Sequence, residues 1–168
     1  MAKAHAWVDA GDTVLDIGTA DGTLFRRWQV RGVGIDPDAV EALSTADVRL
    51  VRGMFPEALP DALDPMDAVT ALAVLEHLDE SDLRVWEAST HDLLRPGGRF
   101  IATVPHPFVD QILHVLMALR VIDGMHTHEH HGFRVSAVRE SFAAQRWRLL
   151  HHRRFQLGLN NIFVFERR

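Results

Sequence analysis

Five short apolar runs, separated by helix-like stretches, fill residues 13–104, and this alternation leaves few folds open. Thr13–Ile17 is a compact apolar run that ends in a glycine loop. Gly22–Val30 follows, with Leu24, Phe25 and Trp28 on one helical face. Gly32–Asp36 is the second run. Pro37 predicts a helix through Leu43, because proline suits a first helical turn. Val48–Val51 is the third run. Met66–Leu72 is the fourth, apolar apart from Asp67 and Thr70, as for a strand covered on both faces. Asp79–Leu94 reads as a helix, with Leu83, Trp86, Thr90, Leu93 and Leu94 as its buried stripe. Asp79 and Ser81 are its candidate caps, and Pro96 and Gly97 end it. Arg99–Val104 is the fifth run. The alternation predicts an α/β fold: a doubly wound, mostly parallel sheet with helices on both faces.

The pattern changes at Pro105 and Pro107. Phe108–Ile122 predicts a helix with Ile112, Val115, Leu116 and Leu119 on one face. A histidine-rich loop, His126–His131, precedes a short helix near Ser136–Gln145. Arg146–Phe155 and Asn161–Arg168 read as two strands joined by a turn around Gly158, Leu159 and Asn160. So short a link requires antiparallel pairing. The length, 168 residues, predicts one domain over residues 1–168, with an insertion at about 107–135.

Composition narrows the chemistry. There is no cysteine, hence no disulfide, thiol nucleophile or cysteine-ligated zinc. Met1–Asp12 lacks the apolar core of a signal peptide. The longest apolar candidate, Ile112–Ile122, is short for a membrane span and is interrupted by His114 and Arg120. A soluble cytoplasmic protein with no membrane partner is expected. The net charge of −5 hides an asymmetry: the acidic excess lies in residues 1–90 and the basic excess in residues 91–168. An acidic first half argues against a nucleic-acid partner. A basic second half would suit an anionic small substrate, unless both halves merely present solvated faces.

Two constellations point to a nucleotide-like ligand. In Val14–Gly22 a strand runs into a loop of small residues with a helix behind it. Glycine and alanine there let backbone approach a ligand, and the helix start offers free N–H groups. The loop lacks the G-x-G-x-x-G spacing of a dinucleotide site. Asp36 ends the second strand about 20 residues after Asp16, where an acid accepts both hydroxyls of a ribose.

These segments resemble those of class I S-adenosylmethionine-dependent methyltransferases. VLDIGTADG (14–22) is similar to the family's motif I, and GIDPD (34–38) to its ribose-binding strand end. DAVTALAVLEHL (67–78) resembles its fourth-strand motif, and LLRPGGRFIATVPHP (93–107) its fifth strand with the preceding turn. The resemblance implies S-adenosylmethionine as cofactor, S-adenosylhomocysteine as product, and a methyl acceptor of the small-molecule kind. It implies that Asp16 orients the methionine ammonium, that Gly18 borders the methionine moiety, and that Thr19, Ala20 and Gly22 line the loop. Asp36 would hold the ribose, and Pro37, Gly53 and Met54 would touch the adenine. Leu72 and Ala73 would offer carbonyls near the sulfonium. Two positions depart from the pattern: Ala20 replaces the middle glycine of motif I, and Met54 stands where the family often has an acid.

The sulfonium methyl is already activated, so proximity and in-line geometry do most of the work. A general base matters only for an acceptor that must lose a proton. His77 and His106, both after strand ends, are the candidates for that base or for a substrate contact, against structural roles at a helix start and a turn. His126, His128, His130 and His131 form a solvated loop, a substrate-facing loop or a metal site; no metal is expected. The leading reading is methyl transfer to an O, N or C atom of a small acceptor, by a monomer or homodimer without nucleic acid. The alternatives are a non-catalytic S-adenosylmethionine-binding subunit, a nicotinamide dehydrogenase, and a nucleic-acid or protein methyltransferase. The missing dinucleotide motif weighs against the dehydrogenase.

Overall fold

A computed structural model describes residues 1–105, 134–142 and 144–168. Their seven strands are β1 (Thr13–Ile17), β2 (Arg31–Asp36), β3 (Val48–Arg52), β4 (Met66–Leu72), β5 (Leu94–Pro105), β6 (Trp147–Phe155) and β7 (Asn160–Arg167). The helices are α1 (Ala2–His5), α2 (Thr23–Trp28), α3 (Glu80–Leu93) and α4 (Val135–Ser141). The strands form one sheet in the order β3-β2-β1-β4-β5-β7-β6. β1 to β5 run parallel, and β7 is antiparallel to both β5 and β6. This is the expected doubly wound α/β sheet with an antiparallel strand pair at its end. From β1 the chain winds outward through β2 and β3, then returns to place β4 on the other side of β1. Such a reversal opens a crevice at the carboxyl ends of β1 and β4.

Each face of the sheet has its own apolar layer. On one face α3 and α4 cover Leu15, Val69, Phe100, Phe163 and Phe165. There Phe142 stacks on Phe100 and Phe165, with ring centroids 4.7 Å apart in each pair. On the other face α1 and α2 bring Ala4, Phe25 and Trp28 onto Val14, Ile101 and Val164. α3 begins as expected: the Asp79 side chain accepts from the N–H groups of Ser81 and Asp82 at 2.7 and 2.8 Å. Its buried residues are Leu83, Trp86, Glu87 and Thr90. The charged member, Glu87, accepts from the Trp147 indole and the Arg146 guanidinium. Leu94, expected in this stripe, instead opens β5 opposite Met66.

The helix predicted from Pro37 to Leu43 does not form. Only a 3-10 turn, Glu41–Leu43, breaks the β2–β3 connection. A competing set of hydrogen bonds explains this, although Asp36 Oδ1 accepts the Asp38 N–H at 2.8 Å as a helix cap would. Farther on, the connection runs along the outer edge of β3 and caps it. Thr45 Oγ1 accepts from Val48 N–H, Ser44 Oγ from Leu50 N–H, and Glu41 Oε1 from Arg52 N–H, at 2.9 to 3.1 Å. These alternate N–H groups would otherwise form an open strand edge. Without a helix there, a cleft of about 730 Å³ remains beside α2, with Phe25, Val30, Leu43, Val48 and Leu50 among its walls.

The helix predicted over Phe108–Ile122, the loop His126–His131 and nearly all of the insertion at 107–135 lie outside the described residues. The helix expected near Ser136–Gln145 is α4, which ends at Ser141.

Candidate functional site

The loop after β1 is tied to the end of β2 before any ligand is considered. Gly18 N–H and Thr19 N–H both donate to the Ile35 carbonyl, at 2.8 and 3.3 Å. Ala20 N–H donates to Asp36 Oδ2 at 3.0 Å. Gly53 N–H, at the end of β3, donates to the Asp36 carbonyl at 3.1 Å. Asp16, Gly18, Thr19, Ala20, Asp36 and Gly53 therefore share one place, the carboxyl ends of three adjacent strands. Both Asp36 carboxylate oxygens are fixed by backbone N–H groups, and each retains a lone pair for a further donor.

Close backbone approach sets the shape of this place. Gly18 has φ +79°, and a Cβ there would lie 2.5 Å from Val74 Cγ2. A Cβ on Gly34 would lie 2.6 Å from the Thr19 side chain, so the β2 backbone supports the loop from beneath. Ala20 (φ 49°) and Ala73 (φ 59°) occupy the left-handed region despite carrying a Cβ, a sparsely populated conformation that clusters at ligand sites. Ala73 is held there by its N–H, which Thr103 receives through both its carbonyl and its hydroxyl, at 2.9 and 3.1 Å.

Asp16 is the buried charge of the site. Its Oδ1 accepts the Thr70 hydroxyl at 2.6 Å. Burial pushes its carboxyl up to about 6; the hydroxyls of Thr70 and Thr19 oppose this, and the charge of Asp36 adds to it. Thr19 Oγ1 is itself buried beside this carboxyl.

The other expected contacts lie around this nucleus. Gly22, in the left-handed region, caps the start of α2. Pro37 is exposed beside Asp36. Met54 is 58% exposed and follows Gly53. Leu72 and Ala73 end β4, where the chain enters the 3-10 turn Leu75–His77. His77 is exposed at the end of that turn. His106 lies outside the described residues. Two supporting residues had no role from sequence: Thr70 beneath Asp16, and Thr103 behind Ala73. The polar threonine in an otherwise apolar strand was the signal available for Thr70.

A crevice at the switch point of a doubly wound sheet, with an acid at the end of β2 and a small-residue loop after β1, defines a nucleoside-binding α/β protein. The chain matches a family model described as a methyltransferase domain over residues 2–163 and belongs to that family. Its cofactor is S-adenosylmethionine. The site fits this group: Asp16 and Asp36, on adjacent strands beside one small-residue loop, offer carboxylate acceptors suited to an ammonium and to ribose hydroxyls.

The ribosomal protein L11 methyltransferase of Geobacillus thermodenitrificans (strain NG80-2) is 33% identical over 111 residues, 61% of this chain and 35% of that protein. The chain thus spans about a third of the length of this curated relative. Among solved structures, the magnesium protoporphyrin IX methyltransferase of Synechocystis PCC 6803, with bound S-adenosylhomocysteine, has a TM-score of 0.69. It is 16% identical, and the match covers 99% of this chain and 81% of that one. The 16S rRNA (adenine(1408)-N(1))-methyltransferase of Catenulisporales acidiphilia, a mutant form, has a TM-score of 0.61 at 18% identity, with 99% and 88% coverage. These structures share the fold.

The comparisons correct one expectation. The family resemblance implied a small-molecule acceptor, and the acidic first half of the chain argued against nucleic acid. Similar proteins include an rRNA methyltransferase and a ribosomal protein methyltransferase, so that restriction falls. The physical reason is that the charge of half a chain is spread over several faces, whereas recognition uses one local surface. Among the described residues, no helix is long and apolar enough to cross a membrane. Among the same residues, no group of three or more His, Asp or Glu could hold a metal ion.

Proposed function

We propose that this chain transfers the methyl group of S-adenosylmethionine to an O, N or C atom of its acceptor by in-line displacement. When bound, the cofactor supplies a methyl group already activated on a sulfonium sulfur. The chain's residues bind and orient. Asp16 attracts the methionine ammonium, and Asp36 receives the ribose hydroxyls on the lone pairs that Ala20 and Asp38 leave open. Pro37, Gly53 and Met54 border the adenine. Leu72 and Ala73 place backbone at the end of β4, where Thr103 holds it. His77 takes a proton from the acceptor or contacts it. The observation that carries this reading is the pair of acids joined through one loop: Asp36 is anchored to Ala20, and Asp16 is buried against Thr70.

Calorimetric titration with S-adenosylhomocysteine, with NADH as control, tests the binding half of this proposal. Binding of the former alone supports it, and a preference for NADH would overturn it. His77→Ala should leave that affinity within about twofold, since none of the cofactor contacts proposed above uses its side chain, and should slow turnover by about 10²-fold if His77 is a general base. A large loss of affinity would contradict the assignment.

Asp16 predicts a pH dependence. Only its carboxylate attracts an ammonium, and its folded-state pKa of about 6 lies above the ordinary 3.8. Affinity for S-adenosylhomocysteine should therefore rise as pH increases through about 6 and then level off, with proton release on binding near that midpoint. Stability of the free protein runs the other way. The unfolded chain loses this proton first, so the contribution of Asp16 is greatest below 3.8 and declines as pH rises to about 6. Calorimetry in buffers of different ionisation enthalpy measures the released proton. Asp16→Asn should flatten the profile; a wild-type affinity that ignores pH across this range would sink the assignment.

A further inference from the structure

The carboxyl end of the sheet carries a second polar cluster, away from the acids of the cofactor site. Asn161 of β7 is 1% exposed. Its Oδ1 lies 3.3 Å from His152 Nε2. The His152 ring lies nearly flat on Phe163, with centroids 4.1 Å apart and planes 12° apart, which holds the imidazole in place. With the amide oxygen, which only accepts, facing the ring, His152 Nε2 donates this bond. Asn161 Nδ2 is then buried with no hydrogen-bond partner among the described residues. Buried polar groups are rarely left in this condition.

Arg154 supplies a charge beside that donor. It stands directly opposite Asn161 in the β6–β7 ladder, so the two side chains leave the sheet on the same face. Arg154 is exposed, and among the described residues it has no hydrogen-bond or ion-pair partner. Arg148, on the same strand, is instead neutralised by Glu166 at 2.5 Å. An unfilled amide donor and an unpaired guanidinium side by side can be satisfied together by an acceptor-rich anion.

The cluster lies next to the cofactor crevice. Asn161 pairs with Val104, the residue after the Thr103 that holds Ala73. β7 is two strands from β4, about 10 Å at the usual strand spacing.

We propose that Asn161 and Arg154, with His152 orienting the amide, bind an oxyanion, a carboxylate or a phosphate carried by the methyl acceptor. The oxyanion site stands on this cluster alone; its assignment to the acceptor rests on the methyl-transfer reading.

An NMR titration of the whole chain tests it. The Asn161 side-chain amide signal, identified through its contacts with His152 and Phe163, is followed against inorganic phosphate and against acetate. It should move saturably with at least one of them. A preference for phosphate assigns a phosphate group, and a preference for acetate assigns a carboxylate. Arg154→Ala, an exposed substitution, should weaken that binding by about tenfold or more, as expected for a lost charge-assisted hydrogen bond. The same variant should keep its affinity for S-adenosylhomocysteine. An Asn161 signal that ignores both anions, or moves equally in Arg154→Ala, overturns the site. Failure of the wild-type chain to bind S-adenosylhomocysteine would instead overturn the methyl-transfer reading and leave the oxyanion site standing.

Discussion

Gly18→Val should abolish measurable cofactor binding, a loss of roughly 3 kcal/mol or more, or about 150-fold in affinity. Two causes act together. The backbone at Gly18 has φ +79°, where a β-branched side chain is strained. A Cβ alone would come within 2.5 Å of Val74 Cγ2, and valine adds two further methyl groups. Val74 is itself branched and stiff, so the loop must lift or the start of the Leu75–His77 turn must shift. Either movement displaces the backbone between the two acids and the end of β4. Thermal unfolding separates loss of the site from loss of the fold. Gly18→Ala carries the first part of the clash, so Val74→Ala in that background should restore part of the affinity, a coupling that a double-mutant cycle measures. Retained binding in Gly18→Val would place the cofactor elsewhere.

Asp36→Ala is expected to weaken S-adenosylhomocysteine binding by about 1.5–3 kcal/mol, or about 10- to 150-fold. The lower figure is the scale for charge-assisted hydrogen bonds to a ribose. The higher one follows because Asp36 also organises the loop: its two oxygens receive Ala20 N–H at 3.0 Å and Asp38 N–H at 2.8 Å. Removing the carboxylate leaves Ala20 in the left-handed region without its anchor. Asp36→Asn, which keeps one accepting oxygen, should fall between wild type and alanine. Affinity unchanged in Asp36→Ala would remove this residue from the site.

Much of the fold was legible locally. The bounds of β1 and β4 follow from compact apolar runs, and the Asp79 cap follows from a side chain that bonds to its own neighbours. The Pro37–Leu43 helix shows where local reading failed. Proline at a first-turn position favoured a helix there, but Glu41, Ser44 and Thr45 bond instead to alternate N–H groups of β3. That choice depends on where β3 lies, and no pattern within residues 37–43 contains it. The histidines that drew attention in sequence contributed unequally. His77 stands at the crevice side of β4, whereas His152, within the strand expected over Arg146–Phe155, faces a buried amide.

The sequence by itself determined the α/β class, the antiparallel end of the sheet and the positions of Asp16, Gly18 and Asp36. Each of these rests on apolar periodicity, a tight loop or a strand end, all properties of a few consecutive residues. Tertiary structure alone decided which side chains complete them. Thr70 reaches Asp16 across 54 residues of chain, Thr103 holds Ala73 across 30, and Arg154 meets Asn161 only through the β6–β7 register. The raised pKa of Asp16 belongs to the same class, because burial is set by every element packed around a residue.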